Sequence, residues 1–260
     1  MQNEVGVLTP SASVDFTAVE IEINHHCNRA CSYCPNSIAK RKSTGEIDRG
    51  LYTKLMSELS ALGFKGRISY DFYNEPMLHS DFDGLVEETR RHLPASPIVL
   101  YTNGTKLTPE RFRALVSKGL TSFIVTRHET DLGSERYVFD ETYRSLTEEE
   151  KTKVIYRDHT ALRLSNRGGT LKHLGEEGLP LRQCHVPSHI VTVTVSGNVL
   201  PCFEDFHEEM KMGSLHENTI AEIWNSEDYQ LMRKQLRAGL RHTRGPCTNC
   251  NKRDVLPPFN

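Results

Sequence analysis

Three closely spaced cysteines constrain this 260-residue chain more than any other feature: Cys27, Cys31 and Cys34 have the spacing C-x3-C-x2-C. They follow an alternating apolar and polar run at 19–23, which predicts a β-strand, so the cysteines lie on the loop that leaves its C-terminal end. Three thiolates can ligate three irons of a cubane [4Fe–4S] cluster and leave the fourth iron open to a different ligand. The alternatives are three unrelated thiols of the core or a zinc site, in which His25 or His26 would be the fourth ligand.

Four further cysteines fall in the last third of the chain: Cys184, Cys202 and the C-x2-C pair Cys247 and Cys250. Four thiolates suit either a second, fully ligated [4Fe–4S] cluster or an all-cysteine zinc site. The group of three cysteines and the group of four together include all seven cysteines of the chain. The chain can therefore hold at most one fully ligated, all-cysteine cluster besides the first.

Charge and hydropathy exclude several classes of function. The formal net charge of −2 argues against a general electrostatic grip on nucleic acid or on an anionic membrane. No apolar run approaches the roughly 20 residues that span a bilayer, and residues 1–15 lack the basic start and apolar core of a signal peptide. We therefore expect a cytoplasmic protein, in which cysteines more often bind metals than form disulfides.

The first two thirds of the chain alternate between strand and helix patterns. Strands are predicted at 19–23, 67–73, 98–101, 122–126 and 154–156, and helices at 50–62, 81–92 and 108–118. Thr108 and Pro109 are suited to the N-cap and first turn of the third helix. This alternation predicts an α/β fold with a parallel sheet, whose ligands gather at the C-terminal ends of the strands.

The last third has a different pattern. Apolar runs at 190–195 and 199–200 flank the turn sequence 196–198, which predicts a β-hairpin. One helix is predicted to begin at Thr219, with Leu231, Leu236 and Leu240 extending its apolar face. Before the first helix, the charged stretch 40–46 is typical of a solvated loop.

The cysteine motif, with Tyr33 directly before the third cysteine, resembles that of the radical S-adenosylmethionine (AdoMet) enzymes. The resemblance implies a partial (β/α) barrel with a cluster that binds AdoMet. The reduced cluster of such enzymes cleaves AdoMet to a 5′-deoxyadenosyl radical, which removes a hydrogen atom from the substrate. The order of 197–202, 212–215, 223–224 and the C-x2-C pair resembles the family's half-length SPASM or "twitch" extension, which binds an auxiliary cluster. The expected organisation is an arm (1–15), the partial barrel (16–170) and a small hairpin and helix twitch domain (171–260).

Two short runs resemble the family's AdoMet contacts. The run 73–76 occupies the position of its G-G-E-P motif, where the backbone and the acidic residue receive the AdoMet ammonium. The run 102–104 resembles contacts to the methionine carboxylate and ribose, although each run is also a common turn sequence. The implied cofactor-binding residues are Tyr33, Asn74, Glu75, Thr102 and Asn103.

Runs at 27–29, 34–37, 40–42, 72–76, 164–169 and 200–206 resemble, more narrowly, the dehydrogenases of 2-deoxystreptamine aminoglycoside antibiotic biosynthesis. The implied reaction oxidises a secondary alcohol of an aminocyclitol, 2-deoxy-scyllo-inosamine, to the ketone, with an auxiliary cluster as electron acceptor. The implied partners are this small molecule and an electron donor such as flavodoxin or ferredoxin, with no nucleic acid or membrane.

The same resemblance implies that Tyr73, Arg167, Phe203 and Glu204 surround the aminocyclitol, with Arg167 and Tyr73 as catalytic residues. In place of the usual glycine, Tyr73 brings a phenol into the substrate space. The pKa of an arginine, above about 12, makes Arg167 a poor base, so we expect it to stabilise charge on the developing ketyl oxygen.

Two other functions stay open at this point. A radical epimerase of an aminoglycoside sugar would need a spare thiol to return a hydrogen atom, and seven ligating cysteines would leave none. A zinc-stabilised binding module would require that no iron is bound.

Overall fold

One β-sheet runs through the protein, whose computed structural model describes residues 13–128, 137–175 and 183–252. Its strands are β1 (Ala18–Ile21), β2 (Arg67–Tyr70), β3 (Ile98–Thr102), β4 (Ser122–Arg127), β5 (Val154–Asp158), β6 (Ile190–Val193), β7 (Asn198–Leu200) and β8 (Gly213–Ser214). Their order across the sheet is β5-β4-β3-β2-β1-β6-β7-β8. The strands from β5 to β6 in this order are parallel, whereas β7 pairs antiparallel with both β6 and β8.

Helices connect the parallel strands from β1 to β5, and two more helices follow β8. They are α1 (Arg49–Ala61), α2 (Phe82–His92), α3 (Pro109–Ser117), α4 (Val138–Ser145), α5 (Glu148–Lys151), α6 (Ile220–Trp224) and α7 (Glu227–Arg237). The α/β architecture and the three helices predicted for the first half of the chain are confirmed, and the Thr108 side chain accepts a hydrogen bond from Arg111 N at the start of α3. The strand predicted at 154–156 is confirmed as β5, after which the sequence pattern is unclear, and α4, α5 and β8 have no counterpart among the predicted elements.

The alternation along β1 gives the sheet one apolar and one polar face. Val19 and Ile21 are fully buried in the main apolar core, which also contains Leu55 and Leu59 of α1. Glu20 lies between the two apolar residues of the strand, so its side chain points to the opposite face. The apolar face packs against the helices, and the polar face lines the interior of the partial barrel.

The predicted hairpin is confirmed, but it does not stand apart from the barrel. β6 and β7 are antiparallel, and Gly197 in their turn has a φ of +75°. β6 also pairs in parallel with β1, from Ala18 opposite Ile190 to Ile21 opposite Val193. The sheet therefore continues from the barrel into the C-terminal region, while the predicted domain boundaries stay a prediction.

The single helix predicted from residue 219 is wrong, because Ser226 starts a second helix. Thr219 and Glu222 form a capping box at the start of α6, and the Ser226 side chain accepts a hydrogen bond from Tyr229 N at the start of α7. Because of this break, α6 and α7 do not form one continuous apolar face. Of the leucines assigned to one apolar face, Leu236 is buried, but Leu231 is 50% exposed and Leu240 lies beyond the helix, 41% exposed.

Within the ranges that the structure describes, no helix combines the length and the apolar character needed to cross a membrane. This agrees with the absence of a long apolar run in the sequence.

We predict that Ser226→Ala loosens the first turn of α7, because the cap of its free N–H groups is lost. A lost N-cap costs about 1 kcal/mol, so amide hydrogen exchange in 227–230 should become roughly 5-fold faster. Ser117→Ala is the matched control, since Ser117 donates to a backbone carbonyl three residues earlier, as Ser226 does, but caps no helix start. Unchanged exchange in α7 would contradict the proposed role of Ser226.

Candidate active site

The cysteine loop leaves the C-terminal end of β1, as the sequence predicted. Cys31 is buried, Cys34 is half-buried, and Cys34 N donates to Cys31 O over 3.0 Å. Burial raises the pKa of the Cys34 thiol, and the nearby Arg167 and Arg41 guanidinium groups lower it. A bound metal cation would favour the thiolate form, so ligation would release a proton.

Glu75 joins the loops that follow β2 and β3. Its Oε1 accepts from Thr102 Oγ1 at 2.8 Å and from Met77 N at 3.2 Å, and its Oε2 accepts from Asn103 N at 2.7 Å. Burial raises the pKa of the Glu75 carboxyl, and these hydrogen bonds oppose that rise. The carboxylate of Glu75 and the Thr102 hydroxyl thus hold the two loops together.

Asn103 ties the same loops to the cysteine loop. Its Nδ2 donates to Asn28 Oδ1 at 2.8 Å, and its Oδ1 accepts from Thr105 Oγ1 at 2.6 Å. Asn28 Nδ2 donates in turn to Thr105 Oγ1 at 3.0 Å. The closed ring of bonds fixes the cysteine loop against the end of β3.

Asn74 is the predicted cofactor residue with free hydrogen-bonding capacity. Both polar atoms of its side-chain amide are buried, and neither has a partner among the described residues. A buried polar group without a partner costs free energy, so such a group at a strand end indicates a ligand.

Tyr33 connects the cysteine loop to the far side of the barrel. Its hydroxyl lies 2.5 Å from His128 Nδ1 at the end of β4, and its ring is stacked on His159, which follows β5. The five residues predicted to contact the cofactor are therefore brought together at the C-terminal ends of the parallel strands.

Arg41 corrects the expectation of a solvated loop at 40–46. Its side chain is 4% exposed and donates from Nη2 to both oxygens of Glu22, at 2.9 and 2.8 Å, and from Nη1 to Phe206 O at 2.6 Å. Glu208 Oε1 lies 3.7 Å from Nη2, and the guanidinium lies over the Phe72 ring. Carboxylates from distant parts of the chain thus allow this charge to be buried.

The four C-terminal cysteines line one cavity. Its walls include Cys184, Cys202, Cys247 and Cys250, and Cys202 Sγ accepts a hydrogen bond from Glu204 N at 3.4 Å. Burial raises the pKa of the Cys202 thiol well above its usual range. None of the seven cysteines forms a disulfide, and all seven belong to one of these two groups.

His25, the possible zinc ligand beside the first group, has one of its two ring nitrogens in use. Its Nδ1 accepts a hydrogen bond from Gly45 N at 2.7 Å, which anchors the loop. Among the residues with described positions, no group of three or more His, Cys, Asp and Glu side chains is arranged to hold a single metal ion.

Tyr73 lies between the two cysteine groups. It is buried, its hydroxyl donates to Phe203 O at 2.7 Å, and its ring contacts Phe206 edge-on with centroids 4.9 Å apart. Burial raises the pKa of the Tyr73 phenol well above its usual range. The phenol therefore stays protonated and can act as a hydrogen-bond donor.

Arg167 adopts an unusual backbone conformation beside Tyr73. Its φ is +50°, in the left-handed region that few residues other than glycine adopt, and Gly168 follows with +62°. The guanidinium lies 5.7 Å from the Tyr73 ring centroid, and Nη1 lies 3.4 Å from Glu204 Oε1. Nε is buried and has no hydrogen-bond partner within the described part of the chain.

The charge of Arg167 faces both groups of cysteines. Burial lowers the pKa of its guanidinium, but the nearby acidic groups Tyr73, Glu204, Cys34 and Cys202 outweigh burial and raise it. Cys34 belongs to the first group and Cys202 to the second. A permanent cation therefore lies within electrostatic reach of both.

Glu204 collects hydrogen-bond donors at the edge of the four-cysteine cavity. It is 4% exposed, and Ser165 Oγ lies 2.8 and 2.7 Å from its two carboxylate oxygens. Lys252 Nζ lies 3.8 Å from Glu204 Oε1 and 4.7 Å from the centroid of the Phe203 ring. Lys252 was not predicted as a site residue, and its only signal in the sequence is its position two residues after the last cysteine.

Two protein-family models match the chain. The model of the radical SAM superfamily matches residues 21–131, which include the first three cysteines. The model of an iron–sulfur cluster-binding domain, SPASM, matches residues 184–251, which include the other four. The two groups of cysteines in the structure therefore fall into two different family models.

Known proteins resemble the chain over nearly its whole length. The S-adenosyl-L-methionine-dependent 2-deoxy-scyllo-inosamine dehydrogenase of Niallia circulans is 44% identical over 240 residues, 92% of this chain and 94% of that enzyme. The crystal structure of BtrN in complex with AdoMet and 2-DOIA matches with a TM-score of 0.87 at 44% identity, over 94% of this chain and 96% of that chain. BtrN in an open conformation matches with a TM-score of 0.74 at 39% identity, over 92% and 94% of the two chains.

We predict that Glu75→Gln weakens AdoMet binding, because an amide NH₂ would face a backbone or hydroxyl donor. Loss of a hydrogen bond to a charged group should raise the Kd for AdoMet about 10-fold, measured by calorimetry on the reconstituted protein without reductant. Glu46→Gln is the matched control, since Glu46 also accepts from a backbone N–H and a hydroxyl, both of Ser80, on an exposed loop. Equal affinities in the two variants would contradict the role of Glu75.

Proposed function

The chain belongs to the family of S-adenosyl-L-methionine-dependent 2-deoxy-scyllo-inosamine dehydrogenases, radical SAM enzymes with an iron–sulfur cluster-binding C-terminal region, and we propose that it performs their reaction. It is an oxidoreductase that oxidises a secondary alcohol of this aminocyclitol to a ketone, amino-dideoxy-scyllo-inosose, in aminoglycoside antibiotic biosynthesis. The observation that carries the proposal is that Arg167, in contact with Glu204 and over the Tyr73 ring, is within electrostatic range of one cysteine from each group, Cys34 and Cys202.

The residues present fit the cofactors of this family. Three cysteines on one loop, beside the unpartnered amide of Asn74, suit a cluster whose open iron binds AdoMet, and four cysteines around one cavity suit a fully ligated cluster. When bound, these groups supply the 5′-deoxyadenosyl radical that removes a hydrogen atom and an acceptor for one electron. The cofactors are therefore two [4Fe–4S] clusters and AdoMet.

Arg167 and Tyr73 are proposed to act on the oxygen of the substrate. Neither can serve as a base, since Arg167 has no acceptor atom and the phenol of Tyr73 already donates to Phe203 O. Arg167 can donate hydrogen bonds to an oxygen that gains negative character while the carbon becomes trigonal. Tyr73 can do the same once its hydroxyl turns from Phe203 O to the substrate. Arg167 Nε is buried without a partner in the described structure, and such an oxygen would provide one.

Glu204 and Phe203 are proposed to bind the aminocyclitol ring and its ammonium group. The Glu204 carboxylate is held by Ser165 and lies near two cations, Arg167 and Lys252, so its position is fixed before substrate arrives. An ammonium group is a complementary ligand for such a carboxylate. The Phe203 ring supplies an apolar surface for one face of the cyclitol.

The electron that starts the reaction comes from outside the chain, and we propose that flavodoxin or ferredoxin donates it. Lys40 and Lys42 support this proposal, because they are exposed on the segment that continues from the cysteine loop. Basic side chains at that position complement an acidic redox protein.

The alternative of a radical epimerase is disfavoured by the placement of the cysteines. An epimerase must return a hydrogen atom to the substrate carbon, and a thiol would be the donor. Three cysteines lie on the radical-cluster loop, and the other four line one cavity. No thiol is therefore left over for that step.

We predict that Cys202→Ala separates AdoMet cleavage from oxidation, because Cys202 belongs only to the four-cysteine group. The variant should form 5′-deoxyadenosine but little ketone, whereas the comparison variant Cys31→Ala should form neither. Iron analysis should find about four irons per chain in each. Equal loss of 5′-deoxyadenosine and ketone in a Cys202→Ala protein with native circular dichroism would contradict the division of roles.

We predict that the hydrogen atom of the carbinol carbon is transferred irreversibly to 5′-deoxyadenosine. Substrate deuterated at that carbon should give one deuterium in 5′-deoxyadenosine for each ketone formed, measured by mass spectrometry. Recovered alcohol should contain no solvent deuterium at that carbon when the reaction runs in heavy water. Inverted alcohol with solvent deuterium would favour the epimerase and would mean that one cysteine is not a ligand.

A further inference from the structure

The oxidation releases a proton that the residues of the proposed substrate site do not accept. The alcohol R₂CH–OH becomes R₂C=O when a hydrogen atom leaves the carbon, a proton leaves the oxygen and one electron leaves the resulting radical. The hydrogen atom and the electron leave with the cofactors of the proposed function, on which this inference rests. The proton must pass to a group of the protein.

The groups nearest the substrate are poor proton acceptors. Arg167 has only hydrogen-bond donors. Tyr73 has a raised pKa, so its phenol keeps its own proton and cannot take up the proton of the substrate. Glu204 is the one carboxylate there, but Ser165 donates to it and two cations lie within 3.8 Å of its Oε1. These contacts already use both of its carboxylate oxygens.

A second group of carboxyls lies on the inner, polar face of the sheet. Glu20 on β1 is buried, with Arg67 Nη2 3.4 Å from its Oε1 and Thr192 Oγ1 3.3 Å from its Oε2. Arg67 Nη1 donates to the hydroxyl of Tyr101 on β3 at 3.1 Å. The polar cluster therefore spans strands β6, β1, β2 and β3, and its side chains are not part of the apolar core.

Asp71 completes this cluster. It directly follows β2, on the segment that leads to Tyr73 at the end of the barrel where the site residues lie. Its Oδ1 is buried, and within the described residues it has no hydrogen-bond partner. Both oxygens of Glu20, Glu75 and Glu204 accept hydrogen bonds, so Asp71 Oδ1 is the unpaired carboxyl oxygen of this set.

The charges around Asp71 favour proton uptake. Glu20 on β1, Arg67 on β2 and Tyr101 on β3 lie within its electrostatic range. Burial raises the pKa of Asp71, and Arg67 lowers it. Burial, together with Asp71, raises the pKa of Glu20 to about 8. Two buried carboxyls with one near guanidinium are neutral when they share one proton, which leaves one carboxylate free to accept another.

Lys252 connects this cluster to the substrate site. Its ammonium acts on Glu20 inside the barrel and also lies 3.8 Å from Glu204 and over the Phe203 ring. Lys252 is therefore within electrostatic range of Glu20 and in contact with two side chains that border the proposed substrate position.

We propose that the carboxyl pair of Asp71 and Glu20 is the proton acceptor of the oxidation, with Asp71 as the group that takes the proton from the substrate hydroxyl. The O–H bond breaks as the C=O bond forms, the proton joins Asp71 Oδ1, and Glu20 keeps the proton that the pair already holds. Arg67 balances the remaining charge. The proton later leaves to solvent, which restores the pair for the next turnover.

The test compares Asp71→Asn with the wild type across pH, with 5′-deoxyadenosine and ketone measured separately. Loss of the acceptor should lower kcat for ketone about 100-fold, the range of general base catalysis, while deuterium transfer to 5′-deoxyadenosine continues. In the wild type, kcat should fall as pH falls through the raised pKa of Asp71, because the acceptor is then already protonated. This acid limb should disappear in Asp71→Asn.

Two further variants separate a chemical role from a structural one. Asp71→Glu keeps a carboxylate and should recover part of the ketone rate. Glu88→Gln is the matched control, since Glu88 is a buried carboxylate paired with Arg49 at 2.6 Å between α1 and α2, away from the site. It should retain the wild-type rate and acid limb.

Infrared spectroscopy can detect the proton shared by Asp71 and Glu20 without enzymatic turnover. The difference between the spectra of the wild type and Glu20→Gln should contain a protonated carboxyl band with a midpoint above neutral pH, and that midpoint should move to lower pH in Asp71→Asn. A wild type without this band, or an Asp71→Asn enzyme with wild-type kcat and acid limb, would overturn the inference. A wild type that forms no ketone would instead overturn the proposed function, and the infrared result would still decide whether the pair holds a proton.

Discussion

The parallel pairing of β1 with β6 is the contact on which the rest of the structure depends. The two strands lie far apart in sequence, yet their register from Ala18–Ile190 to Ile21–Val193 brings their C-terminal ends to the same edge. The cysteine loop continues from one strand, and the segment with Cys202 and Glu204 follows the other through β7. The buried Arg41, with Glu22 on one side and Glu208 on the other, holds the two continuations together. A slip of one residue would reverse which side chains of β6 face the barrel.

The two faces of the sheet have different roles: the apolar face stabilises the fold, and the polar face lines the interior where the proposed site lies. Apolar residues such as Val19 and Ile68 face the helices, and burial of such side chains supplies most of the folding free energy. Glu20 and Arg67 face the interior, where an isolated charge would cost several kcal/mol and a pair recovers part of that cost. Arg167 adds backbone strain through its φ of +50°. The strained Arg167 belongs to the proposed site, and the charges lie on the face of the sheet toward the barrel interior, where a function would retain them.

Predictions from sequence succeeded where the signal was local. The cysteine spacing, the strand before Cys27 and the cap at Thr108 each depend on residues close in the chain. They failed where the deciding partner is distant: Arg41 has the neighbours of a solvated loop, and only Glu22, Glu208 and Phe206 O bury it. Lys252 and Asp71 carry no motif, and they gain a role only when the fold brings them near Glu204 and Glu20. The break at Ser226 was missed because serine is acceptable both within a helix and as a cap.

The arrangement of charges explains why one arginine can serve two cysteine groups. A guanidinium cannot lose its proton under physiological conditions, so Arg167 remains a cation whichever group carries more negative charge. Its reach to Cys34 and to Cys202 stabilises negative charge at both, while its contact with Glu204 keeps it in place. A lysine would be a poorer substitute, because a single ammonium on a flexible chain cannot present a fixed, planar set of donors to several partners. A cation that never takes up a proton also requires that the proton of the substrate go elsewhere, and the buried carboxyl pair of Glu20 and Asp71 meets that requirement without weakening the positive charge at the centre of the site.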